Sequence, residues 1–128
     1  MIVLDASVLI AHLDASNNHH SRAESLLDSA AAELLSASPI TLAEVLTGPA
    51  RNGTLDQVAA ALNQLGVSSV PLAQDAPARL ALLRAGTSLK LPDCCVLLAA
   101  EQTQGTVGTF DHRLAATAMQ RGVMLADE

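Results

Sequence analysis

Aromatic side chains are almost missing from this chain: among 128 residues there is one Phe, Phe110, and no Trp or Tyr. A core without large rings must be packed from Ala, Leu and Val, which suits close helix packing and short buried strands. Basic residues are scarce too. Arg22, Arg51, Arg79, Arg84, Lys90, Arg113 and Arg121 are the only ones, and the formal net charge is −6. That balance argues against a passive nucleic-acid clamp, which gains affinity from clustered Lys and Arg that displace condensed cations. It does not argue against an enzyme whose acids hold a cation, because a bound metal reverses the local field. Cysteine is limited to Cys94 and Cys95. Adjacent cysteines neither staple a fold nor match a zinc spacing, so they read as small core side chains in a reducing cytoplasm. Long apolar runs are missing as well. The longest late one, Cys94 to Ala100, is far too short to cross a bilayer, and Asp5 interrupts the apolar start, which has no basic flank. A soluble cytoplasmic protein with no membrane partner is expected.

What is present is enough to fold. Half the residues are hydrophobic, which excludes disorder from want of burial. The length predicts one domain, 1–128, and no repeat or linker composition divides it. Ile2-Val3-Leu4 reads as a strand buried on both faces. Ala23, Leu26, Leu27 and Ala30 form a helical stripe. Leu34-Leu35 is a brief candidate strand. Ser38-Pro39 then opens a helix, Ser as cap and Pro at its first position, with Leu42, Val45, Leu46 and Pro49 as its stripe and Gly48-Pro49 as its predicted stop. Thr54-x-x-Gln57 has capping-box form before Leu55, Val58, Leu62 and Leu65, and Gly66 ends that helix. The remaining pattern predicts a strand at 67–70, a helix from about Ala76 to Leu89, and a helix from Pro92 to about Gln104 ended by Gly105. A strand at 106–110, a helix capped by Asp111 and running to Arg121, and a last strand at 123–126 complete it. Strands alternating with helices predict an α/β domain, a three-layer sandwich around a mostly parallel sheet flanked by helices. Ligands bind such folds beyond the carboxyl ends of the strands.

Four acids have the right places for such a crevice. Asp5 directly follows the first strand and Asp111 the one that begins at Thr106. Asp93 sits just inside a helix start, after Pro92. Glu44 lies in the second turn of its helix, about 100° from Val45 on the wheel. Each has a plainer reading: Asp5 and Asp111 as helix caps, Asp93 as a dipole complement, Glu44 as a solvated surface residue. Together they are costly. Two carboxylates about 5 Å apart at an effective dielectric of about 20 repel by roughly 3 kcal/mol. A hard divalent ion with oxygen ligands, Mg²⁺ or Mn²⁺, offsets that cost, and its chemistry suits phosphodiester hydrolysis.

These residues also carry a family resemblance. Val3-Leu4-Asp5-Ala6-Ser7-Val8-Leu9 resembles the opening motif of the PIN-domain nucleases. The likeness continues through Glu44 in Thr-Leu-Ala-Glu-Val, Leu91-Pro92-Asp93, and Gly108-Thr109-Phe110-Asp111, so it spans the chain. Length and motif set are most similar to VapC-type toxins of bacterial toxin–antitoxin systems. The resemblance implies a metal-dependent endoribonuclease acting on tRNA or ribosomal RNA, usually a homodimer, held inactive by a VapB-type antitoxin. It carries the acidic quartet onto Asp5, Glu44, Asp93 and Asp111, and two supporting hydroxyls onto Ser7 and Thr109. A catalytically silent PIN fold that binds protein or RNA is the alternative, disfavoured by the intact quartet. A haloacid-dehalogenase phosphatase needs an Asp where Ser7 stands, and a receiver domain needs a Lys on a late strand. His12, His19, His20 and His112 are expected at the surface, with His112 beside Asp111.

Overall fold

A computed structural model describes residues 1–127. Its strands are β1 (Ile2–Leu4), β2 (Leu35–Ala37), β3 (Val67–Ser69) and β4 (Thr106–Gly108). Its helices are α1 (Ala6–Leu13), α2 (His20–Ser29), α3 (Pro39–Asn52), α4 (Leu55–Leu65), α5 (Ala76–Gly86), α6 (Leu91–Thr103) and α7 (His112–Gln120). The sheet order is β3-β2-β1-β4 and every pairing is parallel. Each crossover between strands consists of two helices. The predicted α/β sandwich is the fold observed.

Alternation along β1 divides the core. Ile2 and Leu4 pack with Val8, Leu9, Leu26, Val45 and Leu62 on one face. Val3 packs on the other with Val107, Leu83, Leu97, Leu98 and Leu114. This is the period of two expected of a strand covered on both sides. Small side chains let α6 run through the interior, buried without a break from Cys94 to Ala100. Both cysteines are core residues and are not bonded to each other.

Strand order reverses at β1. From β1 the chain moves to β2 and β3 on one side, then returns to place β4 on the other. Registers of Ile2 with Thr106, Val3 with Val107 and Leu4 with Gly108 bring the ends of β1 and β4 level. Reversal points of this kind open a crevice at the carboxyl edge of a parallel sheet.

Several local expectations need correction. Gly48-Pro49 does not stop α3, which continues through Pro49 to Asn52 and ends where Gly53 turns left-handed at φ 81°. Pro49 costs the helix one backbone donor, but packing of α3 on α1, α4 and α6 outweighs that local penalty. Thr54 forms no capping box: its hydroxyl donates to Asn52 Oδ1 at 2.5 Å, and its side chain caps nothing in α4. Helix α5 ends at Gly86, three residues early, because Thr87 Oγ1 donates to Leu83 O and accepts from Leu89 N. The strand expected at 123–126 is a single bridge between Leu125 and Val107. Leu34 is exposed, and β2 starts one residue later.

Gly105 was expected to end α6, yet Gln104 takes the left-handed turn, at φ 53°. Glycine is needed next to it for space: a Cβ on Gly105 would lie 2.7 Å from Met1 O. Opposite outcomes follow for neighbouring substitutions. Gln104→Gly should stabilise the protein by about 1 kcal/mol by relieving the left-handed side chain. Gly105→Ala should destabilise it by about 1–3 kcal/mol through overpacking. Denaturant midpoints followed by far-UV circular dichroism measure both, and matching shifts of one sign would contradict the assignment.

Candidate active site

The crevice is built on one buried carboxylate. Asp5 follows β1, caps α1 and is only 4% exposed. Its Oδ1 accepts from Ser7 Oγ at 2.6 Å and from Val8 N at 3.2 Å, and its Oδ2 accepts from Thr109 Oγ1. Each hydroxyl is also an acceptor. Ser7 Oγ takes the N–H of Phe110 at 3.0 Å, and Thr109 Oγ1 takes that of Asp111 at 2.9 Å. Beyond Gly108, then, side chains hold the two strand ends together where the backbone ladder stops. For this reason β4 ends two residues before the predicted Phe110. Asp111 caps α7, its Oδ1 accepting from Arg113 N and Leu114 N. The capping reading therefore describes both aspartates correctly, and it accounts for only part of what Asp5 does.

Asp93 and Glu44 stand on other elements, and each feels the charge of Asp5. Asp93 stands half-buried in the first turn of α6, and Glu44 is on α3. Neither caps a helix: α6 begins from Lys90 and α3 from Ser38. Burial pushes the Asp93 carboxyl above its ordinary range, and the charges of Asp111 and Asp5 push it further, with Lys90 opposing. Glu44 is also raised, by desolvation first and then by the charges of Asp93 and Asp5. Asp5 is raised by burial, against the pull of its hydrogen bonds from Ser7, Thr109 and Val8. Asp93 thus senses or is sensed by the other three acids, which ties the quartet into one electrostatic cluster.

The sequence pattern of the family described as PIN domain matches residues 2–119. The chain belongs to the PIN-domain family. No curated protein matches it by sequence. Solved structures do. FitAcB from Neisseria gonorrhoeae is 25% identical over 99% of this chain and 97% of that one, with a TM-score of 0.74. A toxin–antitoxin complex from Klebsiella pneumoniae is 24% identical over 90% and 91%, with a TM-score of 0.72. VapC20 of Mycobacterium tuberculosis, described as a Sarcin-Ricin loop cleaving toxin, is 18% identical over 91% and 95%, with a TM-score of 0.73.

The histidines of this PIN domain stay outside the acid cluster. His12 Nδ1 meets Glu24 Oε1 at 2.5 Å, and His20 Nδ1 meets the Ala11 carbonyl at 2.7 Å. His19 lies against Phe110, ring centres 5.5 Å apart, and His112 is exposed at the start of α7. Reading the sequence missed one arrangement: the Arg22 guanidinium sits over the Phe110 ring, 4.4 Å from its centre. Arg22 and Phe110 are 88 residues apart, so only the singularity of the aromatic marked the position.

The donor chemistry of the crevice is all oxygen, as a hard cation prefers. Among the described residues, however, no three His, Cys, Asp or Glu side chains stand together as one ion's ligands. Such a donor set fits an ion that keeps several waters, as Mg²⁺ does, better than a closed protein cage.

Raised carboxyl groups set the sign of the pH dependence. A carboxyl whose folded pKa lies above its unfolded value contributes stability that is full below the unfolded pKa and lost as pH rises through the folded one. In chelator, lowering the pH from neutral toward the ordinary carboxylate range should therefore raise the melting temperature. Asp93→Asn should flatten that rise and raise the melting temperature at neutral pH. Melts across this range decide the matter, and a parent protein that only loses stability on acidification would refute the coupling.

Proposed function

We propose that this PIN-domain protein is a metal-dependent endoribonuclease, the toxin of a toxin–antitoxin pair. The observation that carries the reading is the electrostatic convergence of Asp5, Glu44, Asp93 and Asp111, from four separate elements, on the crevice where β1 meets β4. Asp5, Asp93 and Asp111 would supply most of the contacts to the cation, directly or through its waters, and Glu44 would act through water. Mg²⁺ or Mn²⁺ held by these residues would supply Lewis-acid chemistry, polarising a phosphoryl oxygen and acidifying an attacking water.

The chain's own residues have the remaining roles. Ser7 and Thr109 fix the rotamer of Asp5, so its carboxylate is aimed before any ligand arrives. Glu44, the most exposed of the four with Asp111, accepts a proton at the crevice mouth. Its raised pKa brings it nearer the useful range for that work. Lys90, Arg113 and Arg22 belong to elements that border the crevice, and they offer phosphates a local attraction despite the acidic whole.

The partners follow from the same reading. The substrate is RNA, with tRNA or ribosomal RNA as the class. VapC20, similar in fold, is described as a toxin that cleaves the Sarcin-Ricin loop. A small VapB-type antitoxin binds this chain, in keeping with the similar toxin–antitoxin complex, and places an Arg or Lys among the acids. The active form is a homodimer in the cytoplasm; among the described residues no helix is long and apolar enough to cross a membrane.

Asp93→Asn is the decisive substitution, because Asp93 caps no helix and its loss spares the Asp5 hydrogen bonds. Cleavage of total RNA should require Mg²⁺ or Mn²⁺ and fall at least about 100-fold in the variant, beyond what loss of an outer-shell partner costs. Divalent ions should also raise the parent's melting temperature more than the variant's. Undiminished cleavage by a folded Asp93→Asn protein would defeat the proposal, and RNA binding that survives without any cleavage would favour the silent scaffold.

A further inference from the structure

A cavity of about 160 Å³ adjoins the acid cluster and shares Thr109 and Asp111 with it. Its remaining walls differ in character. Phe110, Ala115 and Leu125 supply apolar surface, while Arg22 and His112 supply a cation and an imidazole. The Arg22 guanidinium lies on the Phe110 ring, and His19, the N-terminal cap of the same helix as Arg22, flanks that ring. The only aromatic side chain in the protein therefore stands beside the acids, in a stack with a guanidinium. A larger hollow of about 420 Å³, at the opposite end of the sheet, is lined by Glu24, Asp28 and Glu33 and would repel a phosphodiester chain. Another, around Met119 and Met124, is almost wholly apolar.

We infer that the cavity beside Asp111 receives one unpaired nucleobase of the RNA, next to the phosphate held at the acids. This rests on the ribonuclease reading of the crevice. Single-stranded bases are recognised by stacking on aromatic rings and guanidinium planes, with polar groups meeting their edges. The Arg22–Phe110 stack supplies such a wall. Ala115 and Leu125 make an apolar floor, and Thr109, Asp111 and His112 supply donors and acceptors at the rim. Base stacking also answers a difficulty posed by the composition. With few cations to draw the backbone, an acidic protein gains affinity from a contact that does not depend on charge.

Two variants address the cavity without touching an acid. Ala115→Leu fills it and keeps a good helix former in α7, and Phe110→Leu keeps apolar bulk while removing the ring face. The probes are short single-stranded homo-oligoribonucleotides and an abasic phosphodiester of equal length, bound to the Asp93→Asn protein so that nothing is cut. The base-bearing probes should bind about tenfold tighter or more and should shift the NMR signals of the single Phe ring. Each variant should reduce that advantage severalfold or more while leaving the abasic affinity unchanged. Should Ala115→Leu fail to fold by circular dichroism, Phe110→Leu decides alone. Equal affinity for the two probe types, or an advantage that persists in the folded variants, overturns the subsite. Cleavage of total RNA by the parent separates the two readings. If cleavage stands and base dependence is missing, the subsite alone falls; if neither binding nor cleavage occurs, both fall.

Discussion

The buried Asp5 carboxylate is the constraint around which the rest of this structure is arranged. A charge removed from water needs hydrogen-bond donors or a counter-ion, and its cost otherwise runs to several kcal/mol. Here the donors come from Ser7, Val8 and Thr109. Because Thr109 directly follows β4 and the others belong to the start of α1, satisfying the carboxylate fixes one element against the other. The same hydroxyls take the N–H groups of Phe110 and Asp111, so the turn after β4 is positioned by what Asp5 requires. Folding and preparation of the site are one event at this point. Stability is given up for it, since burial still leaves the Asp5 carboxyl raised.

Scarcity of large side chains is the second condition. With four strands of three residues each, the sheet is a thin support, and helices must come close to it. Ala and Cys along α6 allow the approach, and at the sheet itself Gly108 leaves room for the Leu4 side chain, whose Cδ2 a Cβ there would meet at 2.8 Å. The parallel pairing of Leu4 with Gly108 levels β4 with β1 and so sets where Thr109 emerges.

Much of this was legible in the amino-acid order. β1, the cap at Ser38, the stripe of α2, Asp5 at a strand end and Asp111 as a helix cap were visible because each depends on local chemistry: an apolar triplet, a side-chain acceptor, a helical period. The family motifs made the fold readable as a whole. Errors arose where tertiary contact overruled a local signal. Gly48-Pro49 signals a stop, but α3 is held by its neighbours beyond it. Thr54 has the position of a cap, but Asn52 claims its hydroxyl. Gly105 has the position of a helix end, but its role is to let Met1 pass. The stack of Arg22 on Phe110 had no local signature at all, since neither residue's neighbours in sequence announce the other.

The sheet has two edges, and they are finished differently. Beside β4 the chain returns once more: Val107 N–H donates to Met124 O, and Ala126 N–H donates to Val107 O. That short backbone clasp occupies hydrogen-bonding groups which an open edge strand would offer to a foreign chain. Among the described residues β3 has no such cover, but it is three residues long and carries exposed Ser68 and Ser69. Short polar edges make poor templates for strand addition. Two strand spacings, about 10 Å, separate β3 from β1, so any intruding strand would be received away from the acids. At the β4 edge the segment that covers the strand also walls the cavity beside Asp111, so protection of the edge and shaping of the crevice fall to the same few residues.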